Sequence, residues 1–301
     1  MLTSTIPDAT PRVFLRAPDL PVHNRYRGLA DSRSAGRGRS SPAGLHRRPW
    51  LERLRRALAE DLFVLHYQPI VSLKDGQVAH YEALLRLSDE PGGRLVAPGL
   101  FLPAAERYGL IRDIDRMVLA KVIGLLADQR SSSGRGARGV SIAMNISALS
   151  VTDRGMLGEI ERRLARSGVD PSRLVIELTE TASISDMEQA SAFCAGVQTL
   201  GCAVALDDFG AGFGSFQYLK RLPFRYLKID GDFIRGLPGS SNDQLVVKAL
   251  AGVVRGMGRM TIAEFVGDEP TMSLLRSYGV DYAQGFEVGR PHPVVPLAAT
   301  V

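Results

Sequence analysis

The sequence is poor in the residues that carry covalent or soft-metal chemistry. It has two cysteines, Cys194 and Cys202, in 301 residues. Two thiols cannot form a disulfide framework and their spacing fits no zinc motif, so both are expected to be reduced and partly buried. The five histidines, His23, His46, His66, His80 and His292, are scattered, and no two have the spacing of ligands on one helix. A metal site in this chain must therefore be built from oxygen. No apolar run approaches the roughly 20 residues of a membrane-spanning helix, and the N-terminus lacks the basic-then-apolar pattern of an export signal. A cytoplasmic protein without a membrane span is expected.

What is present begins with charge. The total is +5, but residues 1–49 hold nine arginines against three aspartates and no other charged side chain except histidine. That excess of six leaves the other 252 residues at a net −1. The basic character belongs to the first segment, so it does not mark the rest as a nucleic-acid binder. The stretch Asp31 to Pro42 is Arg, Ser and Gly without apolar periodicity and cannot bury enough surface to offset chain entropy. Residues 1–49 are expected to be a disordered tail and residues 50–301 a folded domain.

From Trp50 the pattern changes. Leu51, Leu54, Leu58 and Leu62 lie on one helical face. Apolar runs of strand length follow at Phe63–Leu73, Val78–Leu87, Val140–Ile146, Leu174–Leu178, Ala203–Leu206, Tyr226–Ile229 and Thr261–Ala263, with a short one near Tyr282. Lys74-Asp75-Gly76 is a hairpin turn between the first two. Most of the others are separated by helical segments such as Gly155–Ser167, Asp186–Leu200 and Asn242–Met257. This alternation allows a (β/α)₈ barrel or a doubly wound sheet. Polar residues at many strand ends decide for the barrel: Asn145, Glu177, Asp207, Asp208, Lys228, Glu264 and Gln284. Barrel enzymes carry such groups in a ring at that end, whereas an open sheet has one crevice.

Glu82, Glu177, Asp207, Asp208 and Glu264 are thus five carboxylates expected at one mouth. So close together they cannot all ionise without cations, and hard ions such as Mg²⁺ or Mn²⁺ prefer such oxygen ligands. Asn145 adds a neutral carbonyl. The adjacent Asp207 and Asp208 suit a pair of ions, the usual device for attack of water on a phosphodiester. Singly, any of these acids is as well explained as a helix cap or a solvated loop residue. Two other motifs fail on context. Gly210-Ala-Gly-Phe-Gly214 lacks the third glycine of a dinucleotide fingerprint and follows acids that would repel a pyrophosphate. Asp208-Phe-Gly210 echoes a kinase motif without the loops that accompany it.

Tyr67-Gln-Pro-Ile-Val71, Glu82-Ala-Leu-Leu-Arg86, Asn145-Ile-Ser147, Glu177-Leu-Thr-Glu180, Asp207-Asp-Phe-Gly210, Tyr218-Leu-Lys-Arg-Leu-Pro223, Leu227-Lys-Ile-Asp230, Ala263-Glu264, Gln284-Gly-Phe286 and Gly289-Arg-Pro291 resemble, in order and spacing, the EAL domain family. The resemblance runs from about residue 52 to 294. It implies an α/β fold, a modified TIM (β/α)₈ barrel with an antiparallel first strand, and hydrolysis of cyclic-di-GMP to linear pGpG with Mg²⁺ or Mn²⁺, as two ions. By resemblance, Glu82, Asn145, Glu177 and Asp207 look like ligands of the first ion, and Asp208 like the main ligand of the second, with Asp207 bridging. Glu264 resembles the essential glutamate at the metal and water site. Lys228 looks like the holder of the attacking water, Gln68 and Arg86 like substrate contacts, Gln284 like a pocket-lining glutamine, and Glu180 like the anchor of the loop after Asp208. Dimerisation through a barrel face is implied too.

Departures from the family pattern are Gly214-Ser215 where many members have two serines, Gly267 in place of a second glutamate, and Met117 in place of a tryptophan. They leave open a second expectation, a cyclic-di-GMP receptor with weak or no catalysis. A protein-interaction module that binds no nucleotide is a third, and it predicts no stabilisation by ligand and metal together.

Overall fold

In a computed structural model, residues 48–132, 140–179, 186–210 and 215–295 are described. Residues 1–47 of the expected tail, Glu180 and Gly214 therefore lie outside the described residues, while Arg48 and Pro49, also expected in the tail, begin the helix Arg48–Ala59.

The first two strands, β1 (Phe63–Ser72) and β2 (Val78–Ser88), form an antiparallel hairpin. Gly76 makes the turn with φ of 71°, a left-handed conformation that costs glycine little. The chain then adds β3 (Leu95–Val96), β4 (Ile142–Ile146), β5 (Leu174–Thr179), β6 (Ala203–Phe209), β7 (Tyr226–Ile229), β8 (Met260–Ala263) and β9 (Tyr282–Gln284). Hydrogen bonding runs β1-β9-β8-β7-β6-β5-β4-β2, and β1 pairs with β2 to close an eight-stranded barrel. β1 is antiparallel to both neighbours, while β2 and β4 to β9 are mutually parallel. The expected modified TIM barrel is what forms. The short β3 only extends the edge of β2.

Sequence-derived boundaries hold to within two or three residues. The run expected from Val140 begins pairing at Ile142, and the one expected to end at Leu206 continues to Phe209. The helices Arg154–Ser167, Met187–Thr199 and Ser241–Gly256 occupy the expected segments. Each starts at a polar cap, Asp153, Asp186 or Ser240, whose side chain accepts from a first-turn amide. β3 and the helix Pro98–Arg107 had no counterpart among the expected elements, and the helix Ile111–Ser132 was expected only through the family resemblance at Met117, without bounds. Among the described residues, no helix is long and apolar enough to cross a membrane.

Side chains alternate across each strand. On the outer face, Ile142, Met144, Leu174, Ile176, Val204, Leu206, Leu227 and Ile229 join the main core with the surrounding helices. The alternate residues Ala143, Val175, Ala203 and Ala205, with Tyr226, form a separate small cluster inside the barrel. The rings of His80, Tyr226 and Tyr282 pack in the same interior, with centroids 5.3 to 6.1 Å apart. One residue pair further along the same strand faces, the interior becomes polar.

Candidate active site

That polar layer follows from register. Alternation from Ala143, Val175, Ala205, Tyr226 and Ile262 brings Asn145, Glu177, Asp207, Lys228 and Glu264 to the same face, one step closer to the strand ends. Gln68 on β1 is opposite Glu82 on β2, and Gln284 ends β9. Every one of these side chains except half-buried Asn145 is buried.

Lys228 sits at the centre. Its Nζ lies 2.8 Å from Glu264 Oε1, 2.9 Å from Asp207 Oδ1, 3.0 Å from Glu177 Oε2 and 3.4 Å from Glu82 Oε2. Burial alone would favour losing its proton, but the four carboxylates outweigh this and hold its pKa well above the ordinary lysine value. One ammonium cannot neutralise so many acids. Burial, then repulsion from neighbouring carboxylates, pushes Glu177 and Glu264 well above the usual range and raises Asp207. Burial and the adjacent Asp207 push Asp208 up to about 7. Glu82 is the exception. Burial would raise it too, but Lys228, Gln284 and Asn145 all donate to it, and the net direction is down.

Those donors form a chain of hydrogen bonds. Gln68 Nε2 donates to Gly289 O at 3.0 Å, and Gln284 Nε2 donates to Gln68 Oε1 at 3.2 Å and to Glu82 Oε2 at 2.7 Å. Asn145 Nδ2 donates to Glu82 Oε1 at 2.7 Å, which leaves its Oδ1 for another partner. Gln284 is thus tied to Glu82. Arg86 is on the same face of β2 as Glu82, at the rim, and donates to Leu85 O at 2.8 Å.

Does the site suit divalent cations? Asp207, Asp208 and Glu264 each offer a carboxylate oxygen within 4.8 Å of the others. Glu177 Oε1 and Gln284 Oε1 are buried without a hydrogen-bond partner, which is rare unless something else is bound. A set of oxygen donors with surplus acids fits a hard cation. Asp208 adopts φ of 55°, its amide bonded to Asp207 Oδ1 at 3.0 Å. Strained residues of this kind cluster at ligand sites.

The structure adds residues that were not singled out. Asp115, buried on the helix Ile111–Ser132, accepts from Ser147 N at 3.0 Å and from Ser147 Oγ at 2.5 Å, two residues past Asn145. It was missed because an acid inside the apolar stripe Ile111, Ile114, Val118, Leu119 reads as a break in a helical face rather than as part of a site. His80, two residues before Glu82, lies below the acids with its Nε2 unpartnered.

Comparison with known proteins gives a consistent picture. Residues 51–291 match the model of the EAL domain. The cyclic di-GMP phosphodiesterase PdeB of Shewanella oneidensis is 36% identical over 246 residues, spanning 81% of this chain and 28% of PdeB. The bifunctional diguanylate cyclase/cyclic di-GMP phosphodiesterase MucR of Pseudomonas aeruginosa is 37% identical over 251 residues, 83% of this chain and 36% of MucR. The chain therefore spans about a third of the length of these relatives. Among solved structures, the EAL domain of FimX from Xanthomonas citri in complex with c-di-GMP superimposes with a TM-score of 0.77 at 32% identity, over 85% of this chain and 99% of that one.

Proposed function

We propose, because the chain belongs to the EAL domain family, that it hydrolyses cyclic-di-GMP to linear pGpG with two divalent ions, Mg²⁺ or Mn²⁺. The observation that carries this reading is the convergence of Glu82, Glu177, Asp207 and Glu264 on one point, marked by Lys228 Nζ within 3.4 Å of all four. Glu82, Asn145, Glu177 and Asp207 would hold one ion, and Asp208 the other, with Asp207 shared and Glu264 beside them. When bound, the ions would supply Lewis acidity to the phosphodiester and lower the pKa of the attacking water.

The protein's own groups do the rest. Lys228, Gln284 and Asn145 together keep Glu82 ionised, and the two amides hold it in place. Lys228 offsets the acids, and its ammonium can orient water and stabilise charge on the phosphoryl oxygens. Arg86 at the rim would bind a phosphate of the substrate through its planar fork, and Gln68, buried opposite Glu82, would make a further substrate contact. Glu180 would anchor the loop after Asp208. In this reading residues 50–301 are the phosphodiesterase domain, residues 1–49 a disordered tail, and the setting cytoplasmic. The outer face of the helix Ser241–Gly256 exposes Leu245, Val246 and Val253, a surface suited to a homodimer.

The test is turnover. Purified protein with Mn²⁺ should convert cyclic-di-GMP to pGpG, chelator should stop it, and Glu82→Ala should abolish it. Folded protein that shows no turnover with any of several metals overturns the proposal. A second reading, a receptor that binds cyclic-di-GMP without cleaving it, is favoured by one feature. Lys228 occupies the centre of the acids and competes with any cation there. Calorimetry showing saturable binding without product would select it.

A further inference from the structure

Phe265 follows Glu264 directly and has φ of 53°. A bulky aromatic residue in the left-handed region is an outlier that persists only where its surroundings over-determine it, and such residues gather at ligand clamps. Anchoring of the core does not explain it. Among the described residues, half-buried Phe265 is not one of the hydrophobic side chains packed on either apolar cluster, whereas its neighbour Phe233 is.

Its surroundings are shaped to hold the ring. Phe265 lies against Gly231, where an added Cβ would come 2.2 Å from Phe265 Cδ2, so only glycine fits. Arg235 Cζ stands 4.1 Å from the ring centroid, and its guanidinium is fixed by Asp232 Oδ1 at 3.0 Å. Phe265 thus lies across the ends of β7 and β8, one residue from a carboxylate that reaches the centre of the acid ring. We propose that Phe265, backed by Arg235, is a stacking platform for one purine base of the dinucleotide. This rests on the substrate class proposed above. A dinucleotide whose phosphodiester lies over the acids would extend its bases over the strand ends, where half-buried Phe265 stands next to Glu264. A purine extends the Arg235–Phe265 stack, and base–aromatic stacking of this kind tolerates any base face.

The test compares Phe265→Leu, Phe265→Gly and Phe265→Trp in the full chain. The probes are pGpG with Mn²⁺ and a pGpG analogue carrying 2-aminopurine in place of guanine. Phe265→Leu keeps apolar volume without a π face and should weaken pGpG binding about tenfold. It should also lose the quenching of 2-aminopurine that the wild type produces, while Phe265→Trp retains both. Steady-state kinetics should show the loss in KM with kcat nearly unchanged. Phe265→Gly removes the strain, so its midpoint of thermal unfolding should not fall and its Mn²⁺ affinity should stay within about threefold of wild type, while pGpG binding weakens as in Phe265→Leu.

If Phe265→Leu binds and quenches like the wild type, the platform is overturned and the functional reading stands. Loss of Mn²⁺ affinity in Phe265→Gly also overturns it, because Phe265 would then be positioning Glu264. A wild type that binds neither pGpG nor cyclic-di-GMP with Mn²⁺ overturns both.

Discussion

Lys228 makes the sharpest residue-scale prediction. Its ammonium is the internal counter-ion of Glu82, Glu177, Asp207 and Glu264, and all five side chains are buried. Removing one partner of such a cluster leaves uncompensated buried charge. Lys228→Met should lose about 3–5 kcal/mol of stability in chelator, and Mn²⁺ should restore much of it, as thermal unfolding with and without metal would show. Equal losses in both conditions would mean that the lysine and the cations do not share a site. Asp115 makes a second prediction, about pH. Burial pushes its carboxyl up to about 6 from the ordinary aspartate value of 3.8. Below pH 3.8 both folded and unfolded states hold the proton and the group is neutral to stability. Between 3.8 and 6 the unfolded state releases it first, so stability falls as pH rises and the deficit is complete above 6. Asp115→Asn should therefore gain on the wild type by about 2 kcal/mol between pH 4 and pH 7, measured by urea unfolding at each pH. At this scale the sequence told much. The strand-end acids were identifiable by type and placement, but their partners were not. Nothing in spacing reveals that Gln284 donates to Glu82 across the closure of the barrel, or that Lys228 is shared by four acids, because both depend on distances set by the complete fold.

Among the elements, the strand after β8 depends on one glycine. A Cβ at Gly285 would lie 2.1 Å from Val266 O and 2.3 Å from Val266 N, and backbone atoms cannot step aside. Val266 N also donates to Gln284 O at 3.0 Å. Gly285→Ala should cost at least about 2 kcal/mol and lower the thermal midpoint by roughly 5 °C. It should also weaken Mn²⁺ binding by shifting Gln284, and a variant with unchanged stability would refute this account of the turn. The helix Ser241–Gly256 supplies a different test. Leu245 is 70% exposed on it, so Leu245→Glu should leave stability within about 0.5 kcal/mol and should convert the proposed dimer to monomer in sedimentation. Strands and hairpin were legible because short apolar runs are bounded by Gly and Asp turns. The helix Ile111–Ser132 was not, since Asp115 and Gln129 are polar residues buried along it and blur the stripe.

On the scale of the whole molecule, the barrel concentrates acids faster than it supplies cations. Burial and the adjacent Asp207 poise Asp208 at about 7, so metal-free protein at neutral pH holds a proton there part of the time, and burial shifts Glu177 and Glu264 in the same direction. Binding of Mn²⁺ at pH 7 should expel protons. Calorimetric titrations in buffers of different ionisation enthalpy would register the release, and identical heats in all buffers would contradict it.

The reversed first strand has a consequence in time. Gln284 reaches Glu82 across 202 positions of chain, and the seam beside β1 stays open until β9 is laid in. A growing polypeptide can assemble most of its staves while still lacking the last, and pairings so far apart in sequence form late and slowly. The cup that would hold ions is thus closed only once β9 has been made, so the proposed hydrolysis would have to wait for that strand.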